Sequence, residues 1–159
     1  MGNGSITASV QLLSYKMDKI EFSATQTIGT ILSVDSTDWE AQYSFSLRNA
    51  LRFINNDRTA YVTGLRSNVS IVSKSSGTEL AKGIFEITGL FSTDGTLDKQ
   101  TEENLAKFQG PAILLPYMRA SVSSVLSSAG FGACLMPLIN INEAARNANI
   151  VIEDRQLNS

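Results

Sequence analysis

The side chains that most often do chemistry are scarce in this chain. Its 159 residues contain no histidine and a single cysteine, Cys134. Without histidine there is no Ser-His or Cys-His nucleophilic pair and no ordinary zinc site. A lone cysteine forms no internal disulfide and suits a reducing compartment. Cys134 reads first as a small buried apolar residue. Asp94 and Asp98 are spaced like a carboxylate pair, yet a turn and a helix N-terminus account for both. Gly83 and Gly89 fall inside a strand, so they do not form a phosphate-cradling loop. Asn68-Val69-Ser70 matches a glycosylation acceptor with no meaning in a cytosolic strand. Arg119 is the one charge in the longest helical segment, where it either pairs with a carboxylate or snorkels to solvent. No catalytic residue, cofactor site or metal site emerges.

The apolar side chains are more informative. Ile28, Ile31, Leu32 and Val34 lie in a Ser/Thr-rich connection, 25–38, too long to need four aliphatic residues for closure alone. Trp39, Ala41, Tyr43, Phe45 and Leu47 alternate with Glu40, Gln42, Ser44, Ser46 and Arg48, which gives a long antiparallel strand with one dry face. This register is read onward through Leu51 and Phe53, with Asn49 a polar intrusion. Together with the helical segments after residue 110, these residues enclose either a groove for an extended chain or one ordinary core. Periodicity fits both.

The positioning elements follow from pattern. Residues 5–24 form a first strand whose apolar parity slips twice: Val10 and Leu12, then Leu13, Tyr15 and Met17, then Ile20 and Phe22. Each slip turns the side chains over unless one or two β-bulges, or a bend near Asp18, intervene; otherwise both faces are partly covered. Residues 25–38 read as a loop. Residues 59–73 are a strand bounded by an Asn-Asn-Asp turn and a Ser-Gly turn. Residues 78–91 are apolar on both parities, as in a strand covered on both faces. Residues 97–107 form a short helix.

The stretch 109–130 carries Pro111, Pro116, helical apolar spacing and many small residues. Pro116 predicts a helix start or kink, and Gly130 an αL cap. Ala120, Ser121, Ser123, Ser124, Ser127 and Ser128 suggest a helix packed on two sides, one of them by another subunit. Residues 131–141 are extended, 142–149 form a weak helix, and 1–4 and 154–159 are expected to be disordered. The class is α+β: a four-stranded antiparallel sheet followed by helices packed on one face, in a single domain spanning 1–159.

Composition sets the outer limits. Hydrophobic residues are 43% and charged residues 18%, with a net charge of −2. Such a chain is globular and lacks the basic footprint of a nucleic-acid binder. No apolar run reaches the roughly 20 residues that cross a bilayer. The N-terminus has neither signal-peptide regions nor the myristoylation pattern, because Ile6 stands where Ser or Thr is needed. A cytoplasmic protein is expected.

Two segments resemble the SecB export chaperones: Gly83-Ile84-Phe85-Glu86-Ile87-Thr88-Gly89, and Pro111-Ala112-Ile113-Leu114-Leu115-Pro116-Tyr117-Met118-Arg119. Asp38-Trp39 matches the family's Asp-Trp at the end of its crossover loop, and Asp18 to Phe22 its first-strand segment. Leu135 to Leu138 resembles the extended segment before its last helix. The resemblance implies a dimer of dimers with the long helices packed between the dimers. It also implies ATP-independent holding of unfolded or precursor polypeptides, without a cofactor.

On this reading Ile28, Ile31, Leu32, Val34, Trp39, Tyr43, Phe45, Leu138 and Ile141 line the peptide groove. Tyr117, Arg119, Ser121, Ser124, Val125 and Ser128 form the oligomer interface of a homotetramer. The chain departs from the family in an added helix over 96–108 and a last helix poor in large apolar residues. Lys19 and Ser23 also stand where the carboxylates that dock the SecA motor are expected. The partner is then either SecA, with export clients, or a dedicated one such as an antitoxin. A non-catalytic scaffold binding one folded partner is the alternative from another class.

Overall fold

The computed structural model describes residues 10–35, 37–55, 58–93, 97–132, 136–137, 139–146 and 148–155. Five strands form one sheet in the order β1-β4-β3-β2-β5. β1 is Val10–Ala24, β2 Trp39–Asn55, β3 Arg58–Ser73, β4 Glu79–Thr93 and β5 Ile152–Arg155. The four long strands pair antiparallel, and β5 runs parallel to β2. The α+β class and the four long strands match expectation. The fifth strand does not: Asp154 and Arg155, expected in a disordered tail, pair with Arg52 and Phe53. The remaining termini, the Asp94-Gly95 turn and Cys134 lie outside the described residues.

β1 resolves its parity slips by bulging twice, between Leu12 and Ser14 and between Met17 and Lys19. Each bulge adds one residue and re-phases the alternation. Val10, Leu12, Tyr15, Met17, Ile20 and Phe22 thereby pair opposite Thr93, Phe91, Gly89, Ile87, Phe85 and Gly83, all on the face that carries the helices. β2 bulges as well, between Arg48 and Leu51. This overturns the register read through Leu51 and Phe53. Past the bulge Ala50 and Arg52 take the helix side, Arg52 opposite the buried Tyr61, while Leu51 and Phe53 turn to the outer face. β4 also differs from expectation. Its outer-face residues Ile84 and Leu90 are half-buried, whereas Phe85, Ile87 and Phe91 beneath the helix are fully buried.

Residues 25–38 are not an unstructured loop. They contain α1, Ile28–Ser33, whose N-cap Thr27 accepts a hydrogen bond from the Thr30 amide at 3.4 Å. The connection is pinned at its far end by Asp38. That carboxylate accepts from the Ser73 hydroxyl at 2.9 Å and from the Ser75 hydroxyl and amide at 2.7 and 3.1 Å. Hydrogen bonds from Ser75 and Ser73 hold its pKa below the usual carboxylate value.

The helical segment is one rod rather than two helices. α2, Lys99–Asn104, passes through a π turn at Leu105–Gln109 into α3, Gly110–Leu126, with α-helical backbone at both joints. The N-cap Asp98 accepts from the Thr101 amide at 2.7 Å, and hydrogen bonding to the Thr101 side chain, followed by that amide bond, lowers its pKa. The widened turn suits Pro111, which has no N–H and whose ring crowds the carbonyl four residues back. Pro116 lies inside α3 instead of starting it. It orphans the Ala112 carbonyl on a side where both residues are exposed to water. The rod ends where Gly130 takes φ 95°, a conformation that costs a side-chain-bearing residue about 1 kcal/mol or more.

α3 packs over β4, β3 and β1. Leu114, Met118, Val122 and Leu126 close on Leu65, Phe85, Ile87 and Phe91 to form the core. A short α4, Ile141–Arg146, is a truncated version of the helix expected over 142–149; it packs on β2 and the π turn.

Candidate groove and helix flank

Because α3 lies over β1, β4 and β3, the helix-side face of β2 is left beside it. Along that face Trp39, Ala41, Tyr43, Phe45 and Leu47 are only partly buried against the core. Trp39 to Phe45 spans seven residues, roughly 20 Å of extended chain. At one end Trp39 meets the ring of Phe131 edge-on, centroids 5.4 Å apart. Phe131 in turn meets Phe22 edge-on at 6.0 Å. Ile31, Val34, Trp39, Leu80 and Phe131 surround a cleft of about 250 Å³ there. α1 turns Ile31 and Val34 inward and leaves Ile28 and Leu32 at 76% and 77% exposure beside it. In mid-strand Tyr43 and Phe45 stack at 6.4 Å. Ile141 stands at the far end on α4, next to a separate cleft it lines with Phe108 and Ile139.

The structure therefore brings Ile31, Leu32, Val34 and Trp39 together, continues the surface through Tyr43 and Phe45, and places Ile141 at the opposite end. Leu138 lies outside the described residues. Phe131 was missed by sequence reasoning. Its signal was that it is the aromatic residue directly after the αL cap, where the chain turns back towards β2.

The second predicted set divides. Tyr117, Ser121, Ser124 and Val125 lie on one flank of α3 and border a shallow depression together with Tyr15 and Ile20 of β1. Tyr15 and Tyr117 stack with centroids 4.1 Å apart. Tyr15, Ile20 and Tyr117 are 41%, 48% and 38% exposed, a contiguous apolar patch on the outermost long strand of the sheet. Ser128 is exposed in the π turn that follows α3. Arg119 points elsewhere. Its Nε donates to the Met136 carbonyl at 3.1 Å, fastening Met136 alongside α3.

Charge is distributed so that neither apolar surface holds a reactive cluster. Among the described residues no group of three or more His, Cys, Asp or Glu is placed to hold a metal ion. The outer sheet face carries the ion pairs: Arg48 to Asp18 at 2.6 Å and to Glu86 at 3.7 Å, and Arg66 to Glu86 at 3.3 Å. On the helix side the ionic site is the Arg52 guanidinium. It donates to Glu102 of α2 and Asp154 of β5, each at 2.5 Å, and the Tyr61 hydroxyl also donates to Glu102. Burial, followed by that hydrogen bond, pushes the Tyr61 pKa well up. The two carboxylates hold Arg52 more firmly protonated, and Arg52 in turn pulls Asp154 down. No described helix is long and apolar enough to cross a membrane.

No family model and no curated protein sequence matches the chain. Solved structures do. A SecB-like chaperone of Mycobacterium tuberculosis, determined in complex with a ChAD peptide from the HigA1 antitoxin, superposes with a TM-score of 0.63 at 13% identity. The match covers 83% of this chain and 91% of that one. The fold is therefore SecB-like. A protein of unknown function from Streptococcus agalactiae superposes at a TM-score of 0.40 and 11% identity, over 82% of this chain and 97% of the other.

Proposed function

We propose that this protein is a non-catalytic, ATP-independent chaperone that holds an extended apolar segment of a dedicated partner, such as an antitoxin, along β2. The observation that carries the reading is the half-buried aromatic row from Trp39 to Phe45, flanked by the outward Ile28 and Leu32 of α1. Isolated exposed aliphatics are ordinary, but two on one short helix beside an aromatic floor mark an interaction surface. The SecB-like fold, seen with an antitoxin peptide in the mycobacterial protein, supports the same use.

The dedicated role is favoured over export by the outer sheet face. There Lys19 pairs with Glu21 at 3.7 Å, and Arg48 and Arg66 neutralise Asp18 and Glu86. Such a face lacks the uncompensated acidity expected for docking an export motor. A general holdase for precursor proteins, handing them to SecA in the cytoplasm, is the second reading. The two separate on breadth. A dedicated chaperone protects one partner and leaves unrelated denatured proteins to aggregate, whereas an export holdase suppresses aggregation broadly, in either case without nucleotide. Trp39→Ala is expected to weaken partner binding roughly tenfold or more, as loss of a central aromatic anchor does. Unchanged affinity by titration calorimetry would remove β2 as the seat.

We further propose that a second copy of the chain covers the flank formed by Tyr15, Ile20, Tyr117, Ser121, Ser124 and Val125, within a tetramer. The small side chains of α3 allow close approach there, and the exposed aromatics supply area for burial. Ser124→Leu is expected to lower the mass measured by light scattering while the far-UV spectrum stays unchanged. An unaltered tetramer, or a wild-type monomer, would rule this interface out.

A further inference from the structure

β5 is a strand of only four residues, and it sits on the edge of β2 opposite Ala50–Phe53. Described strand pairing on that edge is confined to this stretch, while β2 itself extends from Trp39 to Asn55. The attachment has three parts. The Ala50 amide, turned outward by the bulge, donates to the Val151 carbonyl at 3.0 Å. The Asn49 side-chain carbonyl accepts from the Val151 amide at 3.2 Å. Arg52 binds Asp154 at 2.5 Å. Ile150 and Ile152 meanwhile reach into a cleft of about 510 Å³ that they line with Leu97, Arg52 and Glu102.

Each part is exchangeable. Val151 is 54% exposed, and Glu153, Asp154 and Arg155 are all exposed. The Arg52–Asp154 pair is half in water, where such pairs contribute little. Arg52 has a second, buried partner in Glu102, which does not belong to the tail. The main-chain contacts are available to any extended segment, since strand addition does not depend on side-chain identity. The cleft receives aliphatic residues against Leu97, between the charged Arg52, Lys99, Glu102 and Glu103, and the outer half of Arg52 meets a carboxylate two positions further on.

We propose that the edge of β2 at Ala50–Phe53 is a strand-docking site for partner segments with the pattern aliphatic-x-acidic, filled in the free protein by the chain's own tail. The inference rests on the reading of β2 as the seat for an extended chain, and makes the tail a tethered competitor at the end of that seat. A tail docked about ten times out of eleven lowers the apparent affinity for an outside segment about tenfold. Its tether keeps it competitive, at an effective concentration on the order of millimolar.

The test uses the full-length protein and a fluorescent peptide copying Asn149–Arg155. Asp154→Arg places like charge against Arg52 and is expected to bind the peptide about tenfold more tightly than wild type. Asp154→Asn, a milder change at an exposed position, is expected to move the same way by a smaller factor. Adding saturating peptide to wild type is expected to strip hydrogen-exchange protection from the amides of Ile152–Arg155. Equal affinities with tail amides that stay protected would overturn the proposal, as would no binding to any of the three proteins. Binding that follows this pattern, in a protein that holds no unfolded partner, would leave the docking site standing and remove the chaperone reading alone.

Discussion

Replacing Glu102 by alanine is expected to destabilise the protein by about 3–5 kcal/mol, the cost of removing one member of a buried ionic pair. The Glu102 side chain is 7% exposed and receives both Arg52 and Tyr61. Its loss leaves the Tyr61 hydroxyl buried without an acceptor and removes the buried half of Arg52's neutralisation. Glu102→Gln is expected to cost distinctly less, because the amide oxygen still accepts from Tyr61. Urea titrations of the two variants against wild type give the comparison, and equal losses would show that the carboxylate charge, not the acceptor for Tyr61, carries the effect.

The same site sets a pH limit. The Tyr61 pKa is raised from its ordinary 10.0 in the folded protein. Its contribution is therefore fully present below pH 10.0. As pH rises further the unfolded chain releases a proton that the folded one retains, and stability falls. Tyr61→Phe is expected to flatten that alkaline decline while lowering stability at neutral pH.

Gly110→Ala is expected to destabilise by about 1–3 kcal/mol, the usual cost of overpacking. Helix propensity alone predicts the opposite sign, a gain of about 1 kcal/mol. The difference is contact. A Cβ on Gly110 would stand 2.3 Å from the Thr63 hydroxyl oxygen and 2.8 Å from the Leu105 carbonyl oxygen. Thr63 is buried in β3, and its hydroxyl has no hydrogen-bond partner among the described residues. Thr63→Ala should therefore recover part of the loss in the double variant, with the carbonyl clash accounting for the remainder. Thermal melts of the four proteins measure the coupling. A stabilised Gly110→Ala would mean that the rod stands off the sheet.

How much of this was legible depended on whether a local signal survived tertiary context. The β1 bulges were readable because apolar residues switched parity at Leu12–Leu13 and again between Met17 and Ile20, and only one face of that strand carries helices. The β2 bulge was hidden because Leu51 and Phe53 continue the apolar parity, although they now face outward. A single Asn49 was too weak a mark of the change. The prolines misled for a physical reason: a π turn before Pro111 and an exposed Ala112 carbonyl before Pro116 let one helix carry both. On the helix-side face of β2, Trp39, Tyr43 and Phe45 were found from alternation along one strand. Phe131 was not, because its contact with Trp39 is made across 92 positions of chain, which no periodicity records. Arg119 was read as an interface charge, but its partner is a main-chain carbonyl, an acceptor that every residue offers. The tail strand escaped because four residues of Ile-Glu-Asp-Arg have no alternation long enough to count.

The sheet order has a consequence for synthesis. β1 is made first, yet its partner is β4, so Val10 waits for Thr93 and Ala24 for Ala81. At about 5–20 residues per second, the first strand spends several seconds outside the ribosome before its neighbour exists. During that interval Leu12, Tyr15, Met17, Ile20 and Phe22 are without the β4 residues they later pair with. The nascent chain of this protein thus passes, for those seconds, through the kind of state its finished form is proposed to shelter.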